Sequence, residues 1–175
     1  MMNAPHRFAL ASLALAGALA ATPALAGVAD SPLPVLAVGG VTQHVYSVPG
    51  VIKNNNIETV FVCTSFDTAV ATVAVEVFAA AGGPPLNDVS PALGDGTETL
   101  SPGGTATITT GATAGFHEDE IIDALLPASL RNGSARILST SKKIGCTAFL
   151  TDEINDPPSG MAPLKILYKT KQRGE

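Results

Sequence analysis

Residues 60–78, VFVCTSFDTAVATVAVEVF, constrain the fold more than any other stretch of the chain. Within residues 70–78, Val73, Val75 and Val77 alternate with Thr72, Ala74, Glu76 and Phe78, which is the period of a β-strand. Four valines and a threonine in nine residues would lose side-chain freedom in a helix, whereas they pack well on a pleated surface. In IETVFVCT (57–64), Ile57, Thr59, Phe61 and Cys63 share one face, and Glu58, Val60, Val62 and Thr64 share the other. Apolar groups on both faces predict a central strand.

Further β segments follow along the chain. VTQHVYSV (41–48) predicts a first strand ended by Pro49-Gly50, and NNN (54–56) predicts a turn. Residues 82–104, with GGPP, Pro91, Asp95-Gly96 and SPGG, read as a long loop that is functional or hides a short strand. TATITT (105–110) reads as a short strand with Ala106 and Ile108 inward. HEDEIIDALLPASL (117–130) breaks the pattern: acidic residues precede Ile121, Ile122, Leu125 and Leu126, a spacing that predicts a short connecting helix ended by Pro127. SARILSTS (134–141) and KIGCTAFLTD (143–152) predict a hairpin, with Asn132-Gly133-Ser134 as a turn before it. EINDPPSGMAP reads as a loop, and LKILYKTK (164–171) as an edge strand with Leu164, Ile166 and Tyr168 opposite Lys165, Lys169 and Lys171.

The first 26 residues describe a secretory signal peptide. A short start with one Arg, the apolar stretch FALASLALAGALAA and the small residues Ala24 and Ala26 before Gly27 fit such a leader, and Pro23 interrupts a stretch already short for a membrane span. No Cys follows the expected cleavage point, which argues against a lipoprotein. The remaining 149 residues comprise a flexible lead-in over residues 27–40, one β-sandwich domain over residues 41–172 and the end of a short tail. They carry nine Lys and Arg against fifteen Asp and Glu, so the chain offers no basic field to nucleic acid. No remaining apolar run reaches membrane-spanning length.

An exported chain meets an oxidising compartment, where two cysteines are most simply read as a disulfide between Cys63 and Cys146. Other cysteine chemistry lacks its partners. A catalytic thiolate needs a base, and only His44 and His117 remain after processing. Zinc would want a spacing such as C-x-x-C, and blue copper a His soon after the Cys.

Other motifs fail in the same way. G-x-S-x-G is absent, HEDE has Ile121 where a zincin would need its second His, and the glycine-rich segments lack the lysine and context of a phosphate loop. The weak metal candidates are His117, Glu118, Asp119 and Glu120, whose carboxylates suit a hard cation but equally suit a solvated helix start. No catalytic residue and no cofactor is expected.

Short strands separated by turn signals predict an all-β, two-sheet β-sandwich. The succession VFVCTS, VAVEVF, SPGGTATI and SARILSTSKKIGCTAFLTD, over residues 41–152, resembles small exported bacterial proteins with an immunoglobulin-like sandwich. The resemblance implies a Cys63–Cys146 bridge across the core between sheets. The chain has no Trp, so the core Trp that packs on that bridge in antibody domains is missing. The expected function is a non-enzymatic binding or structural module, periplasmic or extracellular, whose partner is a protein or glycan of the cell envelope met at loop 79–104. The alternatives are an exported metal-binding protein or hydrolase using His44, His117 and the acidic cluster, and a surface-fibre subunit built by strand exchange.

Overall fold

The structure, a computed structural model, describes residues 27–54, 56–112, 115, 117–122 and 126–168. The expected leader, Leu125 of the expected helix and Lys169 and Lys171 of the last strand lie outside them. Ten strands follow in chain order: β1 (Gln43–Asn54), β2 (Ile57–Ser65), β3 (Ala71–Phe78), β4 (Thr97–Leu100), β5 (Thr105–Thr109), β6 (Glu120–Ile121), β7 (Ser129–Ser139), β8 (Ile144–Asp152), β9 (Met161–Pro163) and β10 (Leu167–Tyr168). The fold is all-β, with no helix among the described residues.

The strands form one mixed sheet, nearly closed into a barrel. One run is β4-β3-β7-β1 with β10 on the far side of β1; in the other, β5 and β8 flank β2, β6 lies parallel to β5, and β9 pairs with β8. The runs are joined where Asn54 pairs with Ile57 at the β1–β2 turn. The core lies between them. Phe61, Val73, Val75, Val77, Ile108, Ile122 and Ile137 are fully buried there, and each such side chain contributes roughly 1.5–3 kcal/mol of transfer free energy.

The central position of β2 follows the sequence pattern, but several expectations change. Pro49-Gly50 does not end β1. The strand passes through it because Gly50, at φ 85°, absorbs an irregularity in the pairing with β7, where Pro49 has no N–H to give. Residues 134–141 and 143–152 are not a hairpin: β7 pairs with β1 and β3, whereas β8 pairs with β2 and β9. Between them the chain crosses from one run to the other. Ser139 Oγ accepts from the Ser141 N–H, Ser141 Oγ accepts from the Lys143 N–H and donates to Asp67 in the β2–β3 connection. Asn132, at φ 56°, is a left-handed residue inside β7 rather than part of a turn before it.

The helix expected over residues 117–130 is replaced, among the described residues, by extended chain. Glu120 and Ile121 pair in parallel with Ile108 and Thr109, and Ser129 already belongs to β7. The apolar pattern served burial all the same, since Ile122 and Leu126 lie in the core. A spacing that fits a helix face also fits a segment crossing the mouth of a sheet. The lead-in, expected to be flexible, lies against the β3–β7 surface: Leu36 is buried with Ala74, Val89 and Leu138.

Cys63 and Cys146 are bonded, as their number suggested, but not across the core. They are directly opposed residues of neighbouring strands β2 and β8, with Cα atoms 4.2 Å apart, the spacing of a pair not joined by backbone hydrogen bonds. The bridge therefore fastens β8 to β2 within one run.

Candidate functional site

The residues singled out by the sequence sit on separate elements. His44, on β1, has Nε2 2.9 Å from both the Tyr46 carbonyl oxygen and Ser47 Oγ. His117 precedes β6, its side chain 91% exposed and 3.8 Å from Asp119. The neighbouring acids serve the backbone. Asp119 accepts from the Thr107 N–H at 2.7 Å and Glu120 from the Gly96 N–H at 3.2 Å. Both press on Glu98, whose carboxyl is raised above its ordinary range by burial first and by their charges second. Among the described residues no three His, Cys, Asp or Glu side chains are grouped to hold a metal ion.

Part of loop 79–104 covers the edge of β3. It contains β4, which pairs with the first half of β3. The second half would be left with unpaired edge groups, and the loop satisfies them: Asn87 Oδ1 accepts from the Val77 N–H, Asn87 Nδ2 donates to the carbonyls of Val75 and Asp95, and Gly96 O accepts from the Val75 N–H. Gly96 permits this at φ 84°; a Cβ there would lie 2.9 Å from the Val75 carbonyl oxygen.

On the outer face of β3 and β7, Glu76 and Arg136 form a buried ion pair, 4% and 1% exposed. Arg136 Nε donates to Glu76, while Nη1 and Nη2 donate to the Ser31 and Pro32 carbonyls, each at 2.7 Å. The guanidinium also lies 5.4 Å from the centre of the Phe78 ring. Burial raises the Glu76 carboxyl, and Arg136 pulls it back. All donors used here face protein partners. The cluster clamps the lead-in onto the sheet, and alternation alone would have left Glu76 on an outward, solvated face.

A cleft of about 550 Å³ opens at the β2–β8–β9 surface. Ile57, Leu150, Ile154, Met161 and Ala162 supply its apolar lining, with Asn56, Thr151, Asp152, Asn155 and Ser159 around them. Register explains the apolar floor. Ile57 opposes Asp152, Thr59 opposes Leu150 and Leu150 opposes Ala162, so Ile57, Leu150 and Ala162 lie on the same face as Phe61 and Cys63. The face that forms the core thus continues past the core's end.

One side chain holds the loop that walls the cleft. Asp152 Oδ1 accepts from the Asn155 N–H at 2.8 Å and Asn155 Nδ2 at 2.9 Å; its Oδ2 accepts from the Ser159 N–H at 2.5 Å and Ser159 Oγ at 2.8 Å. These donors, the Asn155 N–H first, hold the Asp152 carboxyl well below the usual carboxylate range. Beside it, Glu153 is raised by burial against the pull of Lys53. The loop presents Ile154 at 61% exposure and Met161 at 55%. The sequence did carry a signal here: two large apolar residues, Ile154 and Met161, stand in an otherwise polar, proline-rich loop.

The chain matches no protein-family model, no curated protein and no solved structure.

Proposed function

We propose that this chain is an exported, non-enzymatic binding module of the cell envelope or the extracellular space, folded as a two-sheet immunoglobulin-like sandwich. The leader-like N-terminus supports export, and so does the Cys63–Cys146 disulfide, a bond that persists in oxidising compartments. Two five-stranded runs that meet at the Asn54–Ile57 turn support the sandwich reading.

The observation that carries the binding reading is the cleft. Ile57, Ile154 and Met161 are 43%, 61% and 55% exposed and converge on one concavity, whose wall is pinned by four hydrogen bonds to Asp152. Such convergence marks ligand and partner sites, because isolated exposed apolar groups are ordinary while a preformed apolar concavity is not. The test is to incubate the chain, and an Ile154→Ser/Met161→Ser variant with an unchanged far-ultraviolet circular dichroism spectrum, with small-molecule extracts of cell envelopes. Mass spectrometry of what each retains is expected to show a compound held by the parent and lost by the variant. Equal retention by both, or none by either, overturns the reading.

A further inference from the structure

We infer that the cleft bounded by Ile57, Leu150, Ile154, Met161 and Ala162 is a binding site for a small amphiphile with an apolar body and a cationic head. This rests on the binding reading above and specifies the ligand class.

Three features lead to it. At about 550 Å³ the cleft falls within the range of small-molecule sites, roughly 300–1,000 Å³, and is too small for a folded partner to enter. Its floor of Ile57, Leu150 and Ala162 continues the core face, with Ile154 from the loop and Met161, opposite Thr151, beside it, so an apolar body seated there removes exposed apolar surface from water. Its lining charge is of one sign: among the described lining residues Asp152 is the charged one, with no Lys, Arg or His, while Glu153, which feels Lys53, and Asp156 stand in the same loop. Both Asp152 oxygens are occupied by Asn155 and Ser159, so they act on a head group through their field and leave it hydrated at the rim. An anionic head would meet that field unfavourably. Charges at this exposure interact weakly, so the head-group preference is at most about fivefold at low salt and fades as salt is added.

The chain offers its own reporter. Of its three methionines only Met161 lies among the described residues, and it lines the cleft. The full chain is labelled with ¹³C-methyl methionine, with the Met161 signal identified by its loss in Met161→Leu. It is then titrated at neutral pH with decyltrimethylammonium, decanol and decanoate, each below its micelle concentration. The Met161 methyl is expected to shift with all three, with decyltrimethylammonium binding up to about fivefold more tightly than decanoate and decanol between them. High salt should bring the three together. Glu153→Gln/Asp156→Asn, which leaves the Asp152 charge in place, should narrow the spread without closing it while keeping decanol binding, and Ile154→Ser should weaken all three. Decanoate binding as tightly as the cation, with Met161 shifting, overturns the charge assignment and leaves the binding reading standing. No Met161 shift with any of the three overturns both.

Discussion

Replacing Arg136 by Met tests the structural account of the β3–β7 outer face. Met retains much of the apolar stem but removes the guanidinium, leaving Glu76 buried at 4% exposure beside the uncovered Ser31 and Pro32 carbonyls. Breaking a buried ion pair from one side costs about 3–5 kcal/mol, because the remaining charge must stay in low dielectric or take up a proton. For a domain of this size that is a fall in Tm of roughly 6–20 °C. The pH dependence has a definite sign. Burial already raises the Glu76 carboxyl above its ordinary 4.5, and loss of Arg136 raises it further. A carboxyl whose folded pKa exceeds its unfolded value destabilises once the pH passes the unfolded value, and its cost grows until the folded pKa is passed. The deficit of the variant is therefore smallest near pH 4 and largest at neutral pH. Arg136→Met/Glu76→Leu, which removes both charges, is expected to recover much of the loss. Urea unfolding followed by far-ultraviolet circular dichroism at several pH values measures all three chains. A single-variant deficit under about 1 kcal/mol at neutral pH, a deficit that does not shrink toward pH 4, or a double variant no more stable than the single refutes the reasoning.

The Cys63–Cys146 bond closes a sequence separation of 83 residues, for which the chain-entropy relation gives about 4.5 kcal/mol. Cys63→Ala/Cys146→Ala should lose close to that in urea unfolding, and a loss under about 1 kcal/mol would show that the unfolded chain is not what the bond constrains. Asn87→Ala should cost about 1–3 kcal/mol and speed hydrogen exchange at the Val77 amide, which donates to the Asn87 side chain; unchanged exchange there would remove the edge-covering role of the loop. Asp67 is lowered from 3.8 to about 2, chiefly by the Ser141 hydroxyl, so its contribution is full above pH 4 and fades as pH falls toward 2. Asp67→Asn should flatten that part of the acid dependence of the urea midpoint, and a profile parallel to the parent's would contradict the assignment.

The cleft was only partly legible in the sequence. Ile154 and Met161 stood out as apolar residues in a polar loop, but nothing local said that they line one cleft with Ile57, about a hundred positions earlier in the chain. The hairpin expected between residues 134–141 and 143–152 failed for a related reason. A short polar connection between two strands is chemically the same whether the strands pair with each other or with different runs, and here Asp67, from the β2–β3 connection, holds the turn. Among the described residues of the helix expected over 117–130, Glu120 and Ile121 pair in parallel with β5 instead, since the apolar spacing specified burial but not backbone geometry.

By itself the sequence determined what depends on neighbours along the chain. The valine alternation specified the β class and the inward residues of β3, the two-sided apolar pattern made β2 central, and the count of two cysteines specified the bond. Tertiary structure alone decided which strands pair, that Cys63 and Cys146 are neighbours within one run, and that Glu76 meets Arg136, sixty positions away, beneath the lead-in. It also left the core face uncovered at the β8–β9 loop. Strand period is set by backbone sterics within a few residues, whereas partner choice and the covering of a face are set by where distant segments come to lie.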